Sequence, residues 1–200
     1  MSIFLLLVLA LLIILLALGA VVMFVYNQLV ALKNRFKNAF SQIDVQLKRR
    51  YDLIPRLVQA ARAYMGHEAD TLRAVTEARA RAASAQISLN GDPTQLGALG
   101  QLVQADGQLS SALSRLLVTM EAYPDLKADK AIAAVMEEMT STENRVAFAR
   151  QAYNDAVMFY NEAREKFPAV LFAELFGFGL AEHWRLDEGN PATEPPAVDF

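Results

Sequence analysis

Two histidines, His67 and His183, are the only imidazoles in this 200-residue chain, so they bound the metal and acid–base chemistry it can carry. A carboxylate-bridged metal site in a helical bundle pairs Glu residues with Glu-x-x-His on facing helices. Tyr64 stands three positions before His67 and Leu180 three before His183, so neither completes that motif. His67-Glu68 does not extend to His-Glu-x-x-His, because Thr71 occupies the next helical position. A metal-dependent helical-bundle enzyme is therefore a remote reading. No Gly-x-x-x-x-Gly-Lys loop and no Gly-x-Ser-x-Gly elbow is present, and Gly177-Phe178-Gly179 lacks the strand–turn–helix setting of a phosphate loop. The chain has no cysteine, which removes disulfides, thiolate zinc sites, a cysteine nucleophile and a lipidated N-terminal Cys. No catalytic residue, metal ligand or cofactor is expected.

The most unusual polar cluster is Gln42-Ile43-Asp44-Val45-Gln46-Leu47-Lys48-Arg49-Arg50-Tyr51-Asp52. Asp44 and Lys48 are four apart, which on a helix gives an ion pair worth a few tenths of a kcal/mol. Lys48, Arg49 and Arg50 could meet phosphates, lipid headgroups or a partner's acids; the alternative is structural pairing with acids on a neighbouring helix. Asn144, Asn154 and Asn161 either form a polar register layer or face water. Glu137, Glu138 and Glu143 read as a solvated acidic face.

The elements that must position these residues are helices. Residues 1–32 carry no charge, and Ile3 to Val25 is a 23-residue apolar run. At 1.5 Å per residue it measures about 34 Å, enough to cross a hydrocarbon core of roughly 30 Å. A cleaved signal peptide is the rival, with Ala17-Leu18-Gly19-Ala20 at plausible cleavage spacing. Against it, no Lys or Arg precedes the run, and the run is long for a signal sequence. Lys33, Arg35 and Lys37 follow it with no acid before Asp44, which places the C-terminal domain in the cytoplasm and the short N-terminus outside.

Beyond the anchor, strong helix formers are punctuated by Pro55, Pro93, Pro124 and Pro168, and no strand-length alternation occurs. A first helix is expected to run from the membrane to about Tyr51, with Pro55 kinking it or opening a second piece that reaches about Ser88. Asn90-Gly91-Asp92-Pro93 is a turn, and a third helix follows to Tyr123-Pro124. The fourth, Asp125 to Lys166, carries the series Val135, Met139, Thr142, Val146, Ala149, Tyr153, Ala156, Tyr160, Ala163, Phe167 at spacings of three and four. That regularity predicts coiled-coil-like packing and offers Val146, Tyr153, Tyr160 and Phe167 as a self-association face. An elongated monomeric bundle explains the same pattern. Residues 167–184 hold Phe167, Phe172, Phe176, Phe178 and Trp184, predicting a short apolar helix buried on the bundle, a neighbouring subunit or the membrane interface. From Asp187 onward the Pro- and acid-rich sequence predicts an extended tail.

Charge is polarised: residues 33–81 hold 11 basic and 5 acidic groups, residues 82–200 hold 8 and 17. The basic half suits an anionic leaflet or head-to-tail contact with another copy's acidic half, and a solvated helical face explains it equally. The net charge of −3 argues against a nucleic-acid partner.

At these residues the chain resembles the LemA family. The resemblance is carried by Tyr26-Asn27, Leu29-Val30, Leu32-Lys33-Asn34 and, almost continuously, Gln42 to Pro55. It continues in Glu77-Ala78-Arg79, Glu143-Asn144-Arg145, Ala152-Tyr153-Asn154-Asp155-Ala156-Val157, Tyr160-Asn161, Phe167-Pro168 and Phe176-Gly177-Phe178. It implies a single-pass protein of the bacterial inner membrane with a helical body and an external N-terminus, and it supplies no catalytic residue to transfer.

The expected architecture is all-α: an anchor over 1–26, an elongated bundle of long antiparallel helices over 27–186, and a tail over 187–200. The expected role is a non-catalytic scaffold or assembly protein, embedded in the lipid bilayer and self-associating as a homo-oligomer. The alternative is a monomeric tethered module that recruits a protein or anionic-lipid partner.

Overall fold

The computed structural model describes residues 2–95 and 97–185, and among them it is helical with no strand. Five α-helices follow in order: α1 Ser2–Arg62, α2 Ala69–Leu89, α3 Ala98–Met120, the short α4 Pro124–Ala128 and α5 Lys130–Glu165. A single 3-10 turn, Ala169–Leu171, comes last. The four long helices run antiparallel to their chain neighbours. Gln86 of α2 reaches Asp44 of α1, Tyr123 beyond α3 reaches Glu68, and Arg49 of α1 reaches Glu138 early in α5. α1 packs along α5, and α2 along α3.

α1 is 61 residues long and serves two environments. From Ile3 to Ala20 its side chains are exposed; from Val25 onward one stripe is buried, including Leu29, Phe36, Phe40, Ile43, Leu47, Ile54, Leu57 and Ala61. Steps of three, four and seven keep that stripe on one face. The ring of Phe36 lies 5.0 Å from Tyr160, and Phe40 5.7 Å from Tyr153, so large rings of α1 and α5 interlock down the seam.

Three expected boundaries move, each for a physical reason. Pro55 does not divide the first helix, which continues to Arg62. Proline cannot donate to the carbonyl four residues back, and here the Tyr51 carbonyl instead accepts Arg79 Nε of α2 at 3.1 Å. The break falls at 63–68, where Met65 turns into the core beside the exposed Gly66. The expected Asp125–Lys166 helix is cut at Asp129, whose backbone leaves the helical region (ψ 119°) and whose carboxylate caps α5, accepting from the Ala131 and Ile132 amides. The Tyr64 hydroxyl donates to its other oxygen at 2.8 Å.

The third correction concerns 167–184. No apolar helix forms beyond the 3-10 turn; Gly177 takes φ +72°, and residues 178–185 run without helix along α5. The Asn90-Gly91-Asp92-Pro93 turn is present, with Asn90 left-handed (φ 49°) and capping α2. The expected tail over 187–200 lies outside the described residues.

Candidate functional site

Arg50 is buried (2% exposed) in phase with Ile43, Leu47 and Ile54. Its Nη1 donates to Asp106 Oδ1 of α3 at 2.9 Å and its Nη2 to Ser110 Oγ at 3.0 Å. Its Nε lies 3.0 Å from Glu143 Oε2 of α5, close enough for charge pairing although the N–H does not point along a hydrogen-bond direction. Arg150 of α5 ion-pairs with the second oxygen of Asp106 and stacks its guanidinium on Trp184, 5.1 Å from the ring centre. Two cations and two anions thus close a near-neutral layer joining α1, α3 and α5. The buried Tyr51 hydroxyl beside it has no partner; burial first, then the Asp106 charge, pushes its ionisation above the ordinary tyrosine value, against the pull of Arg50 and Arg150.

Burial corrects the expectation that Arg50 meets a lipid or partner: its donors point at α3 and α5. Its neighbours differ. Lys48 and Arg49 are exposed, and Arg49 pairs with Glu138 at 2.8 Å across the rim. Such a pair contributes about 0–1 kcal/mol.

The four residues read as a self-association face also divide. Val146, Tyr153 and Tyr160 are buried against this chain's own core, so the regular stripe on α5 serves α1 and the C-terminal segment rather than a second copy. Phe167 remains 80% exposed.

Residues the sequence reading left undecided hold 178–184 onto α5. Asn161 donates Nδ2 to the Ala181 carbonyl (2.9 Å) and accepts the Ala181 amide (3.0 Å). Asn154 does the same to Trp184, at 3.1 and 2.8 Å. Tyr160 and Tyr153 donate to the carbonyls of Gly179 and Glu182 at 2.8 and 2.7 Å, and Arg164 Nε donates to that of Phe178 at 2.7 Å. The geometry explains the repeat. Seven helical residues rise about 10.5 Å, and three extended residues cover about 10 Å. A Tyr-Asn pair repeated at seven on α5 therefore meets every third residue of an extended strap. That repeat (153–154 and 160–161) was the available signal.

Among the described residues no group of three or more His, Asp or Glu could hold a metal ion. The buried charges, Arg50 and Asp106, are paired with each other and with Arg150, and Tyr153 and Tyr160 are engaged by the strap, while the Tyr51 hydroxyl stays unpartnered. α1 is the helix, among the described residues, long and apolar enough to cross a membrane, and none of its most apolar stretch is buried.

Comparison with known proteins gives the group. The LemA family model matches residues 39–200. The chain belongs to the LemA family. This LemA-family chain is also 26% identical over 188 residues to "Magnetosome protein MamQ 2" of Paramagnetospirillum magneticum (strain ATCC 700264 / AMB-1), covering 86% of this chain and 68% of that protein. "Magnetosome protein MamQ" of Magnetospirillum gryphiswaldense has the same identity and coverage. "Protein LemA" of Metamycoplasma hominis is 25% identical over 135 residues, 68% of this chain and 57% of that protein. LemA membership and the exposed apolar α1 make this a membrane-associated helical protein of bacterial type.

Proposed function

We propose that this LemA-family chain is a single-pass, non-catalytic scaffold that stands its helical body off a bacterial inner membrane and self-associates there. The observation that carries the reading is the continuity of α1: the apolar span and the long core helix of the body are one unbroken helix. A flexible linker would leave the body free to tumble; a continuous helix fixes its direction relative to the bilayer. Two further points support an architectural role. The buried charged groups, Arg50 and Asp106, are occupied with each other and with Arg150, and the names of the MamQ relatives give a cellular structure, the magnetosome, rather than a reaction. The charge following the span favours a body on the cytoplasmic side.

Because Val146, Tyr153 and Tyr160 are enclosed, contact between copies falls to the outer surface, where the basic first half and the acidic second half offer complementary charge. Light scattering on the full-length protein in detergent, with the detergent mass subtracted, tests this. A discrete mass of several chains that dissociates in high salt is expected, and a monomer at all salt concentrations overturns self-association.

One observation favours a second reading, capture of an acidic protein partner: Val45, Lys48, Arg49, Asp52 and Arg56 form an exposed, mainly basic stripe on α1. Lys48 lies 23 residues past Val25, about 35 Å along the helix, several Debye lengths from a leaflet's surface charge. That distance supports a protein rather than a lipid as the occupant. Lys48→Glu with Arg49→Glu should abolish capture while leaving the bundle folded; unchanged capture would count against it.

A further inference from the structure

We propose that the turn between α5 and the strap, residues 167–176, is a second membrane contact that seats shallowly in the bilayer interface beside the point where α1 leaves the membrane. The proposal rests on the reading of Ile3–Val25 as a membrane span. Phe167 and Leu175 are 80% and 78% exposed, and Val170 and Leu171 lie open between them. Four large apolar side chains in one short turn form the kind of patch that soluble surfaces rarely leave uncovered. The bundle does not cover it: the inward residues of the same segment are Ala169 and Ala173.

Its position in the fold identifies the occupant. Tyr26, one residue past the apolar run, stacks edge-on against Phe176 (5.4 Å) and Phe178 (5.5 Å), so the turn is pinned at the level of the span's exit. A groove of about 850 Å³ runs between α1 and this turn; Ala20, Phe24, Phe159 and Phe167 are among its walls. One wall is thus the lipid-facing surface of the span, and the exposed patch continues that surface sideways. If the span is in lipid, the turn lies at the headgroup boundary, where aromatic side chains are favoured.

The charges around it fit the same place. Lys33 sits 5.7 Å from the Phe178 ring and Arg35 5.6 Å from the Phe159 ring, putting two cations at headgroup level. Of the nearby acids, Glu162 pairs with Lys166 at 2.6 Å and Glu174 with Arg164 at 3.3 Å, while the exposed Glu165 has no ion pair among the described residues. A second copy would explain an apolar patch, but not why it is pinned to the exit of the span with Lys33 and Arg35 beside it.

The chain's lack of cysteine allows a direct test on the full-length protein. Single variants Leu171→Cys, Leu175→Cys, Leu12→Cys within the span and Val118→Cys at the far end of α3 all change exposed positions. Each would carry an environment-sensitive fluorophore in vesicles of phosphatidylethanolamine and phosphatidylglycerol, with nitroxide lipids quenching near the headgroups or near the chain ends. Labels at 171 and 175 are expected to lose most emission to the headgroup-level nitroxide and little to the chain-end one. The label at 12 should respond to the deeper probe, and that at 118 to neither.

Labels at 171 and 175 behaving like 118, with 12 still quenched, would overturn the second contact and leave the anchor standing. If those two labels are shielded from aqueous iodide as well as from both lipids, a second copy or another protein covers the turn and the proposal fails. An unquenched label at 12 would overturn the anchor, and the proposal with it.

Discussion

Asp106 is fully buried between two guanidiniums, and its worth depends on what is left behind when it goes. Replacing both members of a buried pair by apolar groups can be neutral, whereas removing one strands the other's charge. Asp106→Ala leaves Arg50, with Glu143 alone as its counter-ion, and Arg150 without its acid. A loss of about 3–5 kcal/mol is expected, read as a lowered midpoint when helical circular dichroism is followed on heating in mild detergent. Arg49→Ala, one residue away on the rim, should move the midpoint little. The two arginines were indistinguishable by type; only phase separated them, because Arg50 falls in the Ile43–Leu47–Ile54 stripe and Arg49 does not. Asp106 itself gave less signal, since an acid inside the apolar face of α3 reads as an interruption until Arg50 and Arg150 are placed opposite.

His183 gives the strap a pH dependence whose sign is fixed. Partial burial first, then the adjacent Arg185, hold its imidazole below the ordinary value of 6.5. The released strap therefore binds a proton more readily than the docked one. Docking is fully stabilised above 6.5 and weakens as pH falls through that value towards the lower docked-state pKa. Trp184, the single tryptophan, is the reporter, with Arg150 over its ring. Its emission should shift to the red on acidification from about pH 7 to about pH 5, and His183→Gln should flatten the change.

Among the elements, α1 shows how a local rule is overridden by a distant residue. A proline inside a helix costs about 3 kcal/mol or more, in part through the carbonyl it leaves unpaired. That carbonyl belongs to Tyr51, and Arg79 Nε fills it from α2. Arg79→Met should cost about 1–3 kcal/mol, because a part-buried acceptor then goes without a donor. Pro55→Ala restores the backbone N–H, so in that background Arg79→Met should cost markedly less. Additive losses across the four proteins, measured by thermal midpoints, would show that Arg79 acts elsewhere. The sequence exposed the proline but not its compensation, which comes from 24 positions downstream on another helix. α5 shows the opposite: its stripe at three and four was plain, yet periodicity says only that a face is buried, not against which chain. The partner is α1 and the strap, joined through ring contacts with Phe36 and Phe40 and through the Tyr-Asn repeat.

At the scale of the whole molecule, if the apolar part of α1 is the proposed span, the consequence of one helix serving both span and body is a fixed standoff. From Tyr26 to Arg62, α1 rises through 36 residue steps with no break, about 54 Å at 1.5 Å per residue. The loop between α2 and α3 lies near the membrane end, since Asp92 pairs with Lys37 at 3.0 Å, while Gly66 lies at the far end. A body held upright therefore places Gly66 far from the bilayer and Gln95 close to it. Cysteine fits at Gly66, where an added Cβ meets nothing within 4 Å, and Gln95 is exposed. With donors at these two sites and an acceptor on lipid headgroups, energy transfer should be strong from 95 and weak from 66. A body lying flat on the membrane would make the two nearly equal. That outcome would leave the fold intact and remove the standoff on which the scaffold reading depends. Intermediate transfer from 66 would instead measure the tilt of α1, since Pro55 does not break it and no glycine lies between Tyr26 and Arg62.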